Sequence, residues 1–208
     1  MEKIIIVKIG SSILMTKENQ LDEIRISHIA DQILSLREKG SFIVLVVSGA
    51  VACGANFVTV FKNKDHLRQI AAGIGQTHII SKLKDIFAKR NIEIAQVLLT
   101  KEYLQSKKNA EEMQEVLLFY LANGFLPILN ENDIVDLNSF GGNDLLAAHV
   151  AGIVQAEKLI ILSTMEGSIY GIGGGETKQE ALRLLAKQNI KASIVNGKAE
   201  NILLQTVL

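Results

Sequence analysis

Short, nearly continuous apolar runs that end in glycine or small polar residues recur along this chain, and they restrict it to few folds. The first two, Ile4–Ile9 and Ser41–Val47, are apolar at almost every position, as expected of strands covered on both faces. Further runs at Ile94–Leu99, Leu126–Leu129, Leu159–Leu162 and Ala192–Val195 read the same way. Between them lie helical patterns. One spans Asp22–Lys39, with Ile26, Ile29, Ile33 and Leu36 on one face and Gly40 as the stop. Others cover Leu67–Ala88, Ala110–Ala122 (closed by Asn123-Gly124), Leu145–Val154 and Thr177–Gln188, and a short helical tail follows. Strands that alternate with helices predict an α/β protein, a three-layer α/β/α sandwich around a mainly parallel sheet. With no repeat, no low-complexity tract, no linker and a single proline (Pro127), residues 1–208 read as one domain.

The chain's 208 residues, 48% of them hydrophobic, suffice for a large core. Lys+Arg and Asp+Glu balance at 22 each, so there is no basic excess of the kind that binds nucleic acid. The single cysteine, Cys53, excludes an internal disulfide, cannot by itself make a metal site, and fits a reducing, cytoplasmic setting. The N-terminal apolar run is too short for a signal peptide and has Lys8 inside it. Phe42–Phe61 is free of charge and long enough to span a bilayer, but Ser48-Gly49 and Gly54 interrupt it. It reads instead as a buried strand, a glycine turn and a short helix, so no membrane association is expected.

The chemistry concentrates between Leu126 and Ala148. An apolar run ends in Asn130, Glu131, Asn132 and Asp133, and ten residues on come Gly141-Gly142-Asn143-Asp144 before a helix. Polar groups crowded at the end of a buried strand are costly unless they meet a ligand or each other, and ligands of open α/β sheets bind at that end. A lone Asp here would be better explained as a helix N-cap after an ordinary loop, and Asn143 or Asp144 could serve as one. Three small-residue turns join this cluster: Lys8-Ile9-Gly10-Ser11-Ser12, Ser48-Gly49-Ala50 and Gly173-Gly174-Gly175-Glu176-Thr177-Lys178. Glycine lets backbone N–H groups approach an anion. The Walker pattern and the dinucleotide fingerprint G-x-G-x-x-G are both absent. Either lysine alone reads as a solvated surface residue. Together, lysines to neutralise phosphate and polar groups to hold a small acceptor are what phosphoryl transfer requires. His78 and His149 read as helix residues without ligand roles, and Cys53 as packing.

As a set, these pieces resemble the amino acid kinase family, and within it the glutamate 5-kinases. The matching segments are V-K-I-G-S-S at 7–12, V-V-S-G-A-V-A-C-G at 46–54, G-I-G-Q at 73–76, A-Q-V-L-L-T at 95–100, L-P-I-L-N-E-N-D-I-V at 126–135, F-G-G-N-D-L-L-A-A at 140–148 and G-I-G-G-G-E-T-K at 171–178. The resemblance implies the carbamate kinase-like fold and ATP-dependent phosphorylation of the γ-carboxylate of L-glutamate, the first step of proline synthesis. It implies catalytic roles for Lys8, Lys178 and Asp144, the last orienting both lysines. Ser48, Gly49, Asn130, Asp133 and Asn143 would hold glutamate. Lys8, Gly10, Ser11, Ser163, Thr164, Gly173, Gly174, Thr177 and Lys178 would meet ATP, whose phosphates carry Mg²⁺; no residue is expected to be a dedicated metal ligand. Proline as an inhibitor, glutamyl phosphate reductase as a partner and a homo-oligomer are further implications.

The sequence also departs from that family. Thr164 stands where an aspartate near the nucleotide is usual, and Gly142 replaces an aspartate. Tyr170 runs directly into Gly171, so part of the usual nucleotide-side segment is expected to be missing after Tyr170. Two alternatives therefore stay open: a kinase of the same fold for another small carboxylate or phosphate, or a non-catalytic, ligand-sensing relative with impaired nucleotide binding.

Overall fold

The computed structural model describes residues 3–18, 20–58, 64–164 and 175–208. The expected shortening after Tyr170 and the turn residues Gly173 and Gly174 lie outside the described residues. Six strands, β1 (Lys3–Ile9), β2 (Ser41–Val47), β3 (Ile94–Leu99), β4 (Leu126–Glu131), β5 (Lys158–Ser163) and β6 (Lys191–Asn196), form one sheet in the order β3-β4-β2-β1-β5-β6. Every neighbouring pair is parallel. Nine helices among the described residues connect or follow them: α1 (Ser11–Leu14), α2 (Glu23–Glu38), α3 (Ala50–Ala55), α4 (Lys64–Ala88), α5 (Lys101–Gln105), α6 (Lys107–Ala122), α7 (Asn143–Ile153), α8 (Gly175–Lys187) and α9 (Ile202–Val207). The expected sandwich is thus observed. No described helix is long and apolar enough to cross a membrane.

Strand parity divides the core. Ile5, Val7 and Ile9 of β1 face the layer built from α2, α4 and α9, where Ile29, Ile33, Ile79, Leu83 and Leu203 are buried. Ile4 and Ile6 face the other layer, with Leu117 of α6, Leu146 and Val150 of α7, and Ala181 and Leu185 of α8. Because successive side chains of a strand point to opposite faces, Lys8 shares the face of Ile4 and Ile6 and is aimed at α7. In β4, Leu126 and Ile128 face the α4 side and Leu129 the α7 side. Continued for two residues, that alternation sends Asn130 toward α4 and Glu131 toward α7.

The elements differ from the sequence expectations mainly at their ends. Strand β4 extends two residues past Leu129, because its polar end residues find partners. Helix α7 begins at Asn143 rather than Leu145, with Gly142 as N-cap and no side-chain cap; neither Asn143 nor Asp144 is the cap. Helix α6 begins at Lys107, where Ser106 accepts a hydrogen bond from the Asn109 N–H. Helices α3 and α4 cross with almost no gap. A methyl group on Gly54 would lie 1.8 Å from the Ala71 carbonyl oxygen, and one on Gly75 would lie 1.8 Å from that of Ala50. Only glycine allows backbones this close. The crossing sets α4 so that Gln76, three residues before the buried Ile79, reaches the end of β4.

Candidate active site

A cavity of about 670 Å³ opens at the carboxyl ends of β1, β2 and β5. It lies at the edge of the sheet where the strand order reverses and ligands of such folds bind. Ten of the site residues expected from sequence line it: Lys8, Gly10, Ser11, Ser48, Gly49, Asp133, Asn143, Asp144, Ser163 and Lys178. These come from six separate segments, so the sequence pieces do converge.

At the centre of one wall is Asp144, in the first turn of α7, where the helix dipole favours a carboxylate. Its Oδ1 lies 2.6 Å from Lys8 Nζ and its Oδ2 lies 2.9 Å from Lys178 Nζ. Asp144 and Lys8 are almost completely buried, at 2% and 7% exposure. Burial alone would push the Asp144 carboxyl up, but the charges and hydrogen bonds of Lys8 and Lys178 together hold it below the usual carboxylate range. Burial pulls Lys8 down, and Asp144 opposes that pull. The two short ion pairs make a fixed triad that presents both lysines at the cavity wall, suited to gripping phosphate oxygens.

Beside this wall, the end of β4 is held by amides and backbone. Asn130 is not on the cavity surface: it is 1% exposed, donates to Gln76 Oε1 at 2.6 Å, and accepts from the Glu131 N–H at 2.9 Å. Its contribution is therefore to the wall behind the cavity. Glu131, to which no role was assigned from sequence, is buried on the α7 side. Its carboxyl accepts from the backbone N–H groups of Phe140, at 3.1 Å, and Gly142, while its own N–H donates to Asn143 Oδ1 at 3.3 Å. Strand end and loop end thus staple each other. Burial pushes the Glu131 carboxyl up to about 7, against the two N–H groups and with help from Asp133 and Asp136. Gly142, at φ 136°, completes the turn in a conformation closed to other residues, which accounts locally for glycine at that position. Asp133 accepts from the Asn138 N–H at 2.9 Å, and burial raises its pKa. Ser48 donates to the Ile9 carbonyl at 3.0 Å, tying the β1 and β2 turns together.

On the third side, the Thr164 hydroxyl donates to Ser12 Oγ at 3.3 Å, linking the ends of β5 and β1. Thr177 lies in the first turns of α8 and is not part of the cavity lining, unlike Lys178 beside it. Sequence inspection missed Gln76, Glu131 and Arg68. Gln76 lay inside a matched segment without a role; Arg68, on α4, lines the cavity and had no local signal at all. His149 packs against Phe140 at 5.7 Å between ring centres and Cys53 is buried, consistent with packing roles for both. Among the described residues no group of three His, Cys, Asp or Glu side chains is placed to hold a metal ion.

The sequence profile of the amino acid kinase family matches residues 3–168. The chain is 32% identical to the glutamate 5-kinase of Bacteroides thetaiotaomicron over 96% of its own length and 65% of that protein's. It is 30% identical to the glutamate 5-kinase of Clostridium acetobutylicum, covering 94% of this chain and 87% of that one. The chain spans just under two thirds of the length of the Bacteroides protein and of other glutamate 5-kinases that it matches. In three dimensions it is similar to the isopentenyl phosphate kinase of T. acidophilum, with a TM-score of 0.68 at 13% identity over 99% of this chain and 96% of that one. A profile match over most of the sequence, together with the strand order and the convergent cavity, leads to one conclusion: the chain belongs to the amino acid kinase family.

Proposed function

We propose that this protein transfers the γ-phosphoryl group of ATP to the γ-carboxylate of L-glutamate, giving γ-glutamyl phosphate and ADP. The observation that carries this reading is Asp144 holding Lys8 and Lys178, one on each carboxylate oxygen, at the wall of a cavity large enough for a small acid and phosphates. The likeness to glutamate 5-kinases over nearly the whole chain supports glutamate as the acceptor.

In this reading the acceptor needs no general base, because a γ-carboxylate is already ionised at neutral pH. One carboxylate oxygen forms a bond to the γ-phosphorus as the bond to the β–γ bridging oxygen breaks, and the electron pair leaves with ADP. Lys8 and Lys178 offset the negative charge on the transferring group, and Asp144 keeps both ammonium groups aimed without reorganisation. The Ser48-Gly49 turn, Asp133 and Asn143 form the acceptor wall; Gly10, Ser11 and Ser163 line the phosphate side. Mg²⁺ would enter with ATP as Mg·ATP and would supply charge neutralisation of the phosphates.

The test is calorimetric titration with a non-hydrolysable Mg·ATP analogue and with L-glutamate in separate runs, followed by an assay for glutamate-dependent ADP release. Binding of both and turnover support the proposal. Binding of glutamate without nucleotide would replace it with a ligand-sensing role. Binding of nucleotide without glutamate would direct the search to other small acids.

A further inference from the structure

Resting on the acceptor reading above, in which Asp133 already belongs to the glutamate wall, we propose that Arg68 determines acceptor specificity by binding the α-carboxylate of the amino acid, which leaves the ammonium group to Asp133. Glutamate carries three charged groups. The γ-carboxylate must lie at the lysine triad to react, which leaves an ammonium and a second carboxylate to be matched elsewhere in the cavity. Among the described residues the charged side chains lining the cavity are Lys8, Lys178, Asp144, Arg68 and Asp133. The first three are bound to one another. Arg68 and Asp133 remain, a cation and an anion close enough for the Arg68 charge to act on the Asp133 carboxyl. Among the described residues the Arg68 guanidinium has no ion pair at contact distance, while the Asp133 carboxylate keeps one tie, to the Asn138 N–H.

Their placement is fixed by the next residue along each segment. Gln69 Nε2 donates to the Ile134 carbonyl at 3.0 Å, binding the second turn of α4 to the loop after β4. The same contact therefore sets Arg68 and Asp133 side by side at the cavity, and α4 is itself fixed by its close crossing with α3. An arginine fork matches a carboxylate in two hydrogen bonds, whereas a lysine would offer a single point charge. A paired cation and anion, held apart rather than in contact, is the complement of a zwitterionic α-carbon.

Three acids separate the parts. Glutarate lacks the ammonium, 4-aminobutyrate lacks the α-carboxylate, and both keep the reacting carboxylate. Steady-state ADP release is measured with each, for the unmodified protein and for Arg68→Gln, Arg68→Lys and Asp133→Asn, with thermal melts to confirm folding. Arg68→Gln should raise KM for glutamate and glutarate by roughly 10- to 100-fold, the range of a lost charge-assisted hydrogen bond, with a much smaller change in kcat. Its preference for glutamate over 4-aminobutyrate should fall by about as much, and Arg68→Lys should recover part of it. Asp133→Asn should weaken glutamate and 4-aminobutyrate but spare glutarate. An unchanged KM for glutamate in Arg68→Gln would overturn the assignment, and so would an equal loss on all three acids. Unmodified protein that phosphorylates glutamate no better than 4-aminobutyrate would overturn it while leaving the kinase reading intact. Activity on none of the three would remove that reading and this subsite together.

Discussion

Two carboxyl groups, Glu131 and Asp144, are buried at opposite ends of the loop that joins β4 to α7, and their surroundings drive them in opposite directions. Asp144 has two ammonium groups as partners and stays ionised. Glu131 has only backbone N–H groups, with Asp133 and Asp136 nearby, and its pKa rises to about 7. The contrast separates two ways of building a site. The Asp144 end stores charge for use on a substrate. The Glu131 end uses a carboxyl to fix chain geometry, and the cation that acts on it, Lys8, does so from beyond ion-pair distance while bound to Asp144.

The largest expected effect breaks the charged end. Lys8→Ala should lower kcat by roughly 10³-fold, as loss of a transition-state charge contact typically does, while circular dichroism stays native because Asp144 keeps Lys178. Near-normal turnover would remove Lys8 from the transfer step. Asp144→Asn comes next. It leaves the buried Lys8 and the partly buried Lys178 without their counter-charge, so a loss of about 3–5 kcal/mol in urea-derived stability is expected, together with a large fall in kcat. Stability within about 1 kcal/mol of the parent would mean that the triad is far better solvated than its burial implies. At the other end, Gly75→Ala inserts a methyl group 1.8 Å from the Ala50 carbonyl oxygen. A cost of about 1–3 kcal/mol or more is expected, with α3 and α4 forced apart and the glutamate KM raised; an unaltered melting temperature would show that the crossing is not tight.

The smallest effect is the sharpest test of the contrast, and it concerns pH. The Asp144 pKa is depressed by folding, so its contribution is present above the ordinary aspartate value and is lost as pH falls through the lower, folded one. The Glu131 pKa is raised by folding. The folded state then binds more protons than the unfolded state between about 4.3 and about 7, and stability declines as pH rises through that window. Glu131→Gln should abolish this decline, changing the difference between pH 5 and pH 7.5 by about 2 kcal/mol. Parallel pH profiles for parent and variant would show that Glu131 titrates normally.

The same contrast explains what could be read in the sequence. Lys8, Ser48-Gly49, Asn143-Asp144 and Lys178 announce themselves because each lies in or beside a small-residue turn at the end of a strand or start of a helix, and the sheet then gathers them. The division of labour between Asn130 and Glu131 was not legible. The apolar run stops at Leu129, so a strand read from it stops there too. Its continuation depends on Gln76, 54 residues earlier, and on the N–H groups of Phe140 and Gly142. Arg68 was silent for a similar reason: a lone arginine in a helical pattern looks like a solvated face until the helix is placed against the loop after β4.

The glycine crossing of α3 and α4 also bears on how this protein would look in a comprehensive substitution screen. Gly54 and Gly75 carry no chemistry and touch no substrate in the mechanism above, yet every side chain introduced there collides with a backbone carbonyl. Scored by growth or turnover alone, both positions would be as intolerant as Lys8 and would be mistaken for part of the catalytic set. Scored in parallel for abundance of folded protein they should separate cleanly, because the lysine variants accumulate and the glycine variants do not.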